Sequence, residues 1–485
     1  MKAQDILKYA LLSYFVLYGA LALFNLDRIP IAWIDEAYFL DPAIQFLKTG
    51  VYSSKIWPQE GTEKFFFAHF PVISLVHIVN LSLFPWEIFY VRLPFFFIFG
   101  IGIYFYYRWL RDGWKLSNVW CLIIVCLFIN DKFTGEAQRS VRTEAIELML
   151  MSIVFWRIST SKNGLWTVFF LSLMTLTHPK LWGMVVLLFV YVCWDYRKSK
   201  ELVFFPLVFL LPVLLFLAWG NFDFILLKQQ LLPHATEHST SFGWWNKLYD
   251  HFIGRFWPHY KTQPYVPVIF VLSLFFSARS IIKNWLAKEN LAEWCFLATN
   301  LYWFFVLGPF PRYDPILLFF SYAICGKNLH FFAERWMPSR WGVVCFLIMF
   351  PLFSFVFLSR QGAAILQRNE RDLSKVLQWY DSFFSKKGDV KILLVDDSSC
   401  HYYAINHPNM EYASVFSLHK FHFDEYDEVY TVAWEPIDLA GVRLIGEYLA
   451  PHPALLNESS SQQMTYHRLK LYRVLANGAF EHLSK

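Results

Sequence analysis

An acidic pair, Asp35-Glu36, lies where the first long hydrophobic segment of the chain ends. Carboxylates just outside the hydrocarbon layer of a membrane stay ionised at little cost, and there they can act as a base toward a substrate whose other part lies in lipid. The residues that follow have helical spacing and would present the pair at the head of a helix. This placement predicts an enzyme that works at a membrane surface.

A second group of charged residues lies at the start of a later apolar segment. Arg142 and Glu144 are two residues apart on a predicted helix end, so we expect them not to share a face, although both would lie at the rim of a pocket. A structural role is equally open, because Arg142 or nearby Arg139 could pair with Glu136 or Glu144. The sequence leaves both roles open for this group.

Basic residues also lie in connections between apolar segments. His178 and Lys180 flank Pro179 in a predicted tight turn, a position with few structural reasons to be basic. Arg312 and Tyr313 precede a later apolar segment. An arginine there can also have a purely structural role, with its aliphatic part along the apolar surface and its charged group in water. These residues are candidates for a cationic binding site.

The composition indicates the class of protein. Hydrophobic residues make up 56% of the 485 residues and charged residues 17%, whereas soluble proteins are about 25% charged. Long apolar runs recur along most of the chain, which predicts a polytopic α-helical membrane protein. The net charge of +5 gives no indication of a nucleic-acid partner, and the cysteine spacing indicates neither a disulfide framework nor a zinc site.

Apolar runs with basic flanks predict about eleven transmembrane helices. They lie near residues 9–27, 90–108, 117–131, 143–157, 164–177, 180–194, 202–220, 265–279, 291–308, 314–328 and 341–359. The short connections on one side are rich in lysine and arginine, which predicts that side to be cytoplasmic and places Asp35 and Glu36 outside. The stretch 65–84 is apolar but interrupted by polar residues, and we interpret it as an interfacial segment.

The predicted membrane domain spans residues 1–360, and its first outer loop, 28–89, contains a predicted surface helix. Apolar residues recur there at three- and four-residue spacing, at Ala37, Leu40, Ile44 and Leu47. We expect Pro42 in the first turn of this helix and Gly50 at its end. The helix would lie on the membrane and carry the acidic pair at its head.

Two further outer parts are predicted. Residues 221–264 mix aromatic and basic residues, which suits either an interfacial lid over a lipid or sugar or a simple aromatic anchor. Residues 361–485 alternate strand-like runs, such as 391–395 and 428–432, with polar loops, which predicts a small extracytoplasmic α/β domain. That domain contains no recognisable catalytic motif.

Five motifs in register over the first third of the chain resemble the GT-C glycosyltransferases that use polyprenyl-phosphate sugars. This family includes protein O-mannosyltransferases and the aminoarabinose transferase of lipid A. The motifs are Asp35-Glu36-Ala37-Tyr38, Ala68-His69-Phe70-Pro71, Trp86-Glu87 through Arg92-Leu93-Pro94, Arg142-Thr143-Glu144-Ala145 and Thr177-His178-Pro179-Lys180. Later, Pro311-Arg312-Tyr313 is similar to the family's phosphate-side loop. Phe70 departs from the commonest pattern, which has two successive prolines, and this should affect only the turn.

The resemblance implies roles for these residues. Asp35 would be the general base, Glu36 would assist or orient it or else merely face solvent, and Glu144 would be a second site residue. The carrier phosphate and the sugar would be bound by Arg142, His178, Lys180, Arg312, Tyr313 and His69. A divalent cation, Mg²⁺ or Mn²⁺, is not expected to be obligatory, and if one is used Asp35 and Glu144 would be its ligands.

The implied reaction is a single displacement that moves one sugar from a polyprenyl-phosphate carrier to a lipid, glycan or protein acceptor. It would take place on the outer side of the bacterial cytoplasmic (inner) membrane. An oligosaccharide ligase or a phosphoethanolamine-type transferase would differ in its donor, and the latter would need a threonine nucleophile and metal ligands in the last domain. The alternative from another class is a transporter or flippase of lipid-linked sugars, which would place charges in the middle of spans and show inverted repeats.

Overall fold

The computed structural model describes residues 3–28, 34–237, 249, 263–284, 287–307, 314–336, 362, 365–366, 373–396, 398–433, 442–451 and 466–475. Up to residue 336 these residues form mainly α-helices, in which the backbone polar groups of apolar runs are satisfied internally. The helices are α1 Ala3–Phe24, α2 Ile34–Thr49, α3 Pro71–Leu83, α4 Ile88–Arg108, α5 Asn118–Asn130, α6 Lys132–Ala137, α7 Thr143–Ser159, α8 Gly164–Thr175, α9 Trp182–Asp195, α10 Phe205–Trp219, α11 Phe224–Glu237, α12 Tyr265–Lys283, α13 Leu291–Tyr302 and α14 Asp314–Trp336.

Three helical stretches of the described chain are long and apolar enough to cross a membrane, namely Ile88–Gly113, Lys200–Trp219 and Tyr265–Lys283. Shorter apolar helices lie at four of the other positions predicted to span, and further helices lie at Thr143–Ser159, Trp182–Asp195 and Asp314–Trp336. The predicted segment 341–359 lies outside the described residues. The structure therefore confirms a polytopic helical membrane protein, while the number of spans stays a prediction.

Helix α3 bears on the interpretation of residues 65–84 as interfacial. It has 13 residues, and at about 1.5 Å per residue it reaches only about two thirds of the roughly 30 Å thickness of the hydrocarbon layer. The predicted lid, 221–264, contains α11 at its start, and most of the remainder lies outside the described residues. Both functional interpretations stay predictions.

Helices α4 and α7 pack closely because α4 has a glycine at the contact. A Cβ atom at Gly102 would lie 3.0 Å from the Cα atom of Met149 in α7, whereas one at Gly100 would meet nothing within 4 Å. The contact fixes α4, which carries Arg92 near its start, relative to α7, which begins just after Val141. These two helices form part of the core that positions the candidate site.

Helix α2 carries the acidic pair in its first turn, as predicted. Pro42, however, lies in the middle of the helix rather than in its first turn, because the helix already begins at Ile34. Gly50 follows the last residue with a φ of +76°, a left-handed conformation that ends the helix. The apolar face is covered, with Leu40 and Ile44 at most 1% exposed, so α2 is packed into the protein on one side.

The last part of the chain forms a five-stranded mixed sheet in the order β2-β1-β3-β5-β4. Its elements are α15 Leu373–Phe384, β1 Ile392–Asp396, α16 Ser398–Ala404, β2 Met410–Ala413, β3 Glu428–Ala433, β4 Val442–Pro451 and β5 Tyr466–Val474. Strand β1 pairs in parallel with β2 and β3, while β5 pairs antiparallel with β3 and β4. The predicted α/β arrangement is confirmed, and α16 packs against α2 of the membrane part.

Candidate functional site

The Glu36 side chain lies at a junction of several chain segments and is 2% exposed. Arg92 of α4 binds it in a bidentate manner, with Nε 3.0 Å from Oε1 and Nη2 2.9 Å from Oε2. The Val141 N–H donates to Oε1 at 3.1 Å, and the Tyr402 hydroxyl of α16 donates to Oε2 at 3.3 Å. Glu36 is therefore not a solvent-facing residue. Of the two interpretations drawn from the sequence, the one in which Glu36 merely faces solvent is wrong.

Arg92 is held as firmly as its partner. It is fully buried, and its Nη1 donates to the Leu26 carbonyl oxygen, 2.9 Å away, just after α1 ends. A buried ion pair is stable only when its remaining polar groups are also satisfied, and the Arg92 and Glu36 contacts meet that condition. The pair ties α1, α2 and α4 together directly beside Asp35.

A third acid of α2, Asp41, is part of the scaffold. It is 3% exposed, and Ser54 Oγ donates to its Oδ2 at 2.6 Å while Gln45 Nε2 donates to Oδ1 at 3.2 Å. Burial raises the pKa of Asp41 above its ordinary value, and these hydrogen bonds oppose the shift. Of the three acids of α2, only Asp35 is partly exposed, which leaves it as the candidate base.

Asp35 is connected to the histidines through the same face of α2. Phe39 lies four residues after Asp35, hence on the same side of the helix, and its ring centroid is 4.8 Å from that of His69. The His69 ring lies 5.1 Å from that of His178, and both histidines are buried. The His178 Nδ1 accepts a hydrogen bond of 3.1 Å from the Lys180 N–H, which caps the turn Pro179–Leu181.

Lys180 is enclosed by carboxylates. Its Nζ lies 2.8 Å from Glu144 Oε1 and 3.0 Å from Glu147 Oε2, and all three side chains are at most 2% exposed. The Trp303 indole N–H also holds the turn Pro179–Leu181, because it donates to the Lys180 carbonyl oxygen at 2.9 Å. Lys180 thus bridges an internal acidic pair at the start of α7.

The expectation that Arg142 and Glu144 do not share a face is wrong. Arg142 precedes α7 in an extended conformation, with φ −141° and ψ 156°, so helical spacing does not apply to it. Its Nη2 lies 3.0 Å from Glu144 Oε1, which confirms the structural pairing considered for these residues. Arg142 keeps 13% of its side chain exposed, more than Lys180 does.

Arg312 and Tyr313, the remaining predicted site residues, lie outside the described residues. Within the described ranges, no group of three or more histidine, cysteine, aspartate or glutamate side chains could hold a metal ion. Glu144, named as a ligand in case a divalent cation is used, is already paired with two cationic side chains. That a divalent cation is not obligatory stays a prediction.

Three contacts of the site were missed at the sequence level. Arg92 stands within one of the recognised motifs, but nothing local indicates that Glu36 is its partner. Glu147 follows Glu144 by three residues in an otherwise apolar helix, and this spacing on one helix face was an available signal. Tyr402 lies 366 residues from Glu36, so no pattern along the chain could have indicated the contact.

An apolar groove of about 550 Å³ lies between α1 and α4. Its lining is mainly aromatic and aliphatic, and its polar members include Tyr18 and Gln138. The Tyr18 hydroxyl lies 2.8 Å from Gln138 Oε1. Gln138 precedes Val141 by three residues, so the polar end of the groove is close along the chain to a residue whose N–H binds Glu36.

These features define an integral membrane protein with a helical bundle, a buried ionic site and an appended α/β domain. The same fold is found in ArnT from Cupriavidus metallidurans. Its structure bound to undecaprenyl phosphate aligns with a TM-score of 0.60 and 13% identity, covering 96% of this chain and 99% of that chain. The apo structure aligns with a TM-score of 0.54 and 12% identity, covering 96% and 98%.

No family model and no curated protein sequence matches the chain. At this level of identity the structural likeness establishes the fold alone. The chain therefore shares the fold of ArnT over almost the whole length of both chains.

Proposed function

We propose that this protein is a membrane glycosyltransferase that moves one sugar from a polyprenyl-phosphate carrier to a lipid, glycan or protein acceptor. The observation that carries the proposal is the head of α2, where Glu36 is locked by Arg92 while the adjacent Asp35 stays partly exposed. The likeness to ArnT bound to undecaprenyl phosphate, over 96% of this chain, supports the donor class. The site would face the outer side of a bacterial cytoplasmic membrane.

The chemistry needs one base and stabilisation of a leaving phosphate. The Asp35 carboxylate takes the proton of the acceptor hydroxyl as its oxygen attacks the anomeric carbon. The bond from that carbon to the phosphate oxygen breaks, and its electron pair leaves with the polyprenyl phosphate. One displacement inverts the anomeric configuration, and the proton remains on Asp35 until it is released to water.

Glu36 has a different role in this proposal. Its two oxygens already accept four hydrogen bonds, from Arg92, Val141 and Tyr402. Both oxygens are therefore engaged by donors of the protein itself, two of them charge-assisted. Glu36 therefore fixes the start of α2 and so orients Asp35.

The contacts also separate the candidate phosphate ligands. Lys180 is enclosed by Glu144 and Glu147, so its charge is already compensated. Arg142 is more exposed and bears a guanidinium that can bind phosphate in a bidentate manner. We propose Arg142 as the direct ligand of the carrier phosphate and Lys180 as the residue that holds Glu144 in place. Arg312 stays a proposed second ligand.

The hydrocarbon tail of the carrier requires an apolar surface that remains in contact with lipid. The groove between α1 and α4 supplies one, with its polar end at Tyr18 and Gln138. We propose this groove as the site of the first isoprenoid units of the carrier.

The test is transfer of radiolabelled sugar from a panel of polyprenyl-phosphate hexoses and pentoses in membranes that contain the protein. Wild type should release polyprenyl phosphate and label an acceptor, and Asp35→Asn should slow both by about 10²–10⁴-fold, the usual contribution of a general base. Glu60→Gln, which changes an exposed acid of the same loop, is the matched control and should react like wild type.

Equal donor consumption by wild type and Asp35→Asn would remove the base assignment. If no donor is consumed but lipid-linked sugar crosses the bilayer at the same rate in both, the transporter function replaces the transferase. Inversion can be read from the anomeric coupling in the labelled product, and a retained configuration would contradict the single displacement.

A further inference from the structure

The C-terminal domain supplies one of the donors to Glu36. The Tyr402 hydroxyl on α16 lies 3.3 Å from Glu36 Oε2, and the tyrosine side chain is 2% exposed. Burial, and then the neighbouring Glu36 carboxylate, raise the pKa of Tyr402 well above its ordinary value, so the hydroxyl stays protonated and remains a donor. A residue of the domain that lacks a catalytic motif thus reaches the acidic pair of α2.

Other contacts hold this domain against the first outer loop. The Tyr38 hydroxyl lies 2.7 Å from Ser414 Oγ, one turn of α2 away from the acidic pair. Lys420 Nζ donates to the Trp57 carbonyl oxygen at 2.7 Å and to Thr62 Oγ1 at 2.5 Å. Lys420 is largely buried at this interface, its side chain 7% exposed. The contact of Tyr402 therefore belongs to an extended interface.

We propose that Tyr402 is a positioning residue of the transfer reaction, through which the C-terminal domain sets the orientation of Glu36 and thereby of Asp35. The inference rests on the proposed function. The geometry supports it because Arg92 holds Glu36 from the membrane part, whereas Tyr402 reaches it from the C-terminal domain and donates to the same oxygen that Arg92 Nη2 binds. Loss of the hydroxyl removes one restraint and leaves the ion pair intact.

A matched pair of variants isolates this restraint. Tyr402→Phe removes the hydroxyl that reaches Glu36 and keeps the ring. Tyr403→Phe removes a hydroxyl from the neighbouring tyrosine of the same helix, which is also 2% exposed and donates to Asp381 at 2.8 Å inside the C-terminal domain in a partly buried contact. We expect kcat for the donor that wild type consumes to fall about tenfold in Tyr402→Phe, the equivalent of one hydrogen bond to a charged group, with KM unchanged. Tyr403→Phe should keep the wild-type kcat.

A double-variant cycle tests whether Tyr402 acts through Glu36. In a Glu36→Gln background, Tyr402→Phe should lower kcat by less than about twofold, because residues that share one contact are not additive. A full tenfold loss in that background would overturn the proposal, since Tyr402 would then act elsewhere. Equal kcat values for Tyr402→Phe and Tyr403→Phe would overturn it as well.

Failure of the positioning role of Tyr402 can be distinguished from failure of the proposed transferase function. If wild type consumes no donor of the panel, the transferase proposal fails, and the same cycle is then read from melting temperatures of the purified full-length variants. Non-additive shifts for Tyr402→Phe and Glu36→Gln would retain the positioning contact for whatever reaction occurs at Asp35. Additive shifts would overturn the contact itself.

Discussion

At the scale of single residues, the three buried glutamates of the site have different cationic partners. Glu36 has its own arginine and further neutral donors, whereas Glu144 and Glu147 share the one ammonium group of Lys180. Removing one member of a buried ionic group leaves an uncompensated charge, which destabilises far more than the group as a whole stabilises. The start of α7 is therefore more sensitive to the loss of Lys180 than to the loss of an acid.

Lys180→Met should lower stability by about 3–5 kcal/mol, because two neighbouring carboxylates lose their shared cation in a buried site. Adding Glu147→Gln should restore part of that loss, since one negative charge is then removed and Arg142 still pairs with Glu144. Melting temperatures in detergent measure both effects. Lys162→Met, at an exposed lysine near the other end of α7, is the control. A double variant no more stable than Lys180→Met would contradict this account.

At the scale of elements, close helix packing decides where the site residues meet. Arg92 is carried by α4 and Val141 precedes α7, so their common contact with Glu36 requires these helices in a fixed relation. Gly102 allows the close approach of α4 and α7 that fixes this relation, because any side chain there would meet the α7 backbone rather than a movable side chain. The contact lies two to three turns from Arg92 along α4.

Gly102→Ala should destabilise the bundle by about 1–3 kcal/mol, the usual cost of overpacking a close contact. Gly100→Ala is the control on the same helix, where the added methyl group meets nothing within 4 Å. The melting temperatures of the two variants give the comparison. Equal melting temperatures for the two variants would mean that α4 and α7 can move apart freely and that their close approach does not hold the site.

At the scale of the whole molecule, the C-terminal domain is joined to the membrane part by buried polar contacts, and one buried histidine lies close to them. His401 on α16 is 2% exposed, and its ring nitrogens have no hydrogen-bond partner among the described residues. Burial, with a further contribution from Lys48, lowers the pKa of His401 to about 3. The domain therefore carries a histidine that stays neutral while folded.

This histidine predicts acid sensitivity. Between pH 6.5 and about 3 the unfolded chain binds a proton at His401 and the folded chain does not, so stability is lost as the pH falls. At pH 5 the loss should be about 2 kcal/mol relative to pH 7.5. His401→Leu should flatten this part of the pH dependence of the melting temperature, and the same substitution at exposed His419 is the control. An unchanged pH dependence in His401→Leu would contradict the assignment.

The sequence predicted elements better than contacts. Helix α7 was expected at 143–157 and lies at Thr143–Ser159, because a long apolar run in a membrane protein has few alternatives to a helix. The start of α2 was misplaced relative to Pro42, since proline is compatible with both a first turn and a kinked interior. The partners of Glu36 could not be predicted, because helix packing and domain docking, rather than local spacing, bring them together.

The position of strand β5 in the sheet has a consequence for biosynthesis. β5 is the last strand along the described chain, yet it is hydrogen-bonded on both sides, between β3 and β4. The sheet that supports α16, and with it the Tyr402 contact to Glu36, can be completed only after residue 474 has left the ribosome. A nascent chain would thus have its helices inserted while its acidic motif is still incompletely restrained, so that site maturation follows membrane insertion.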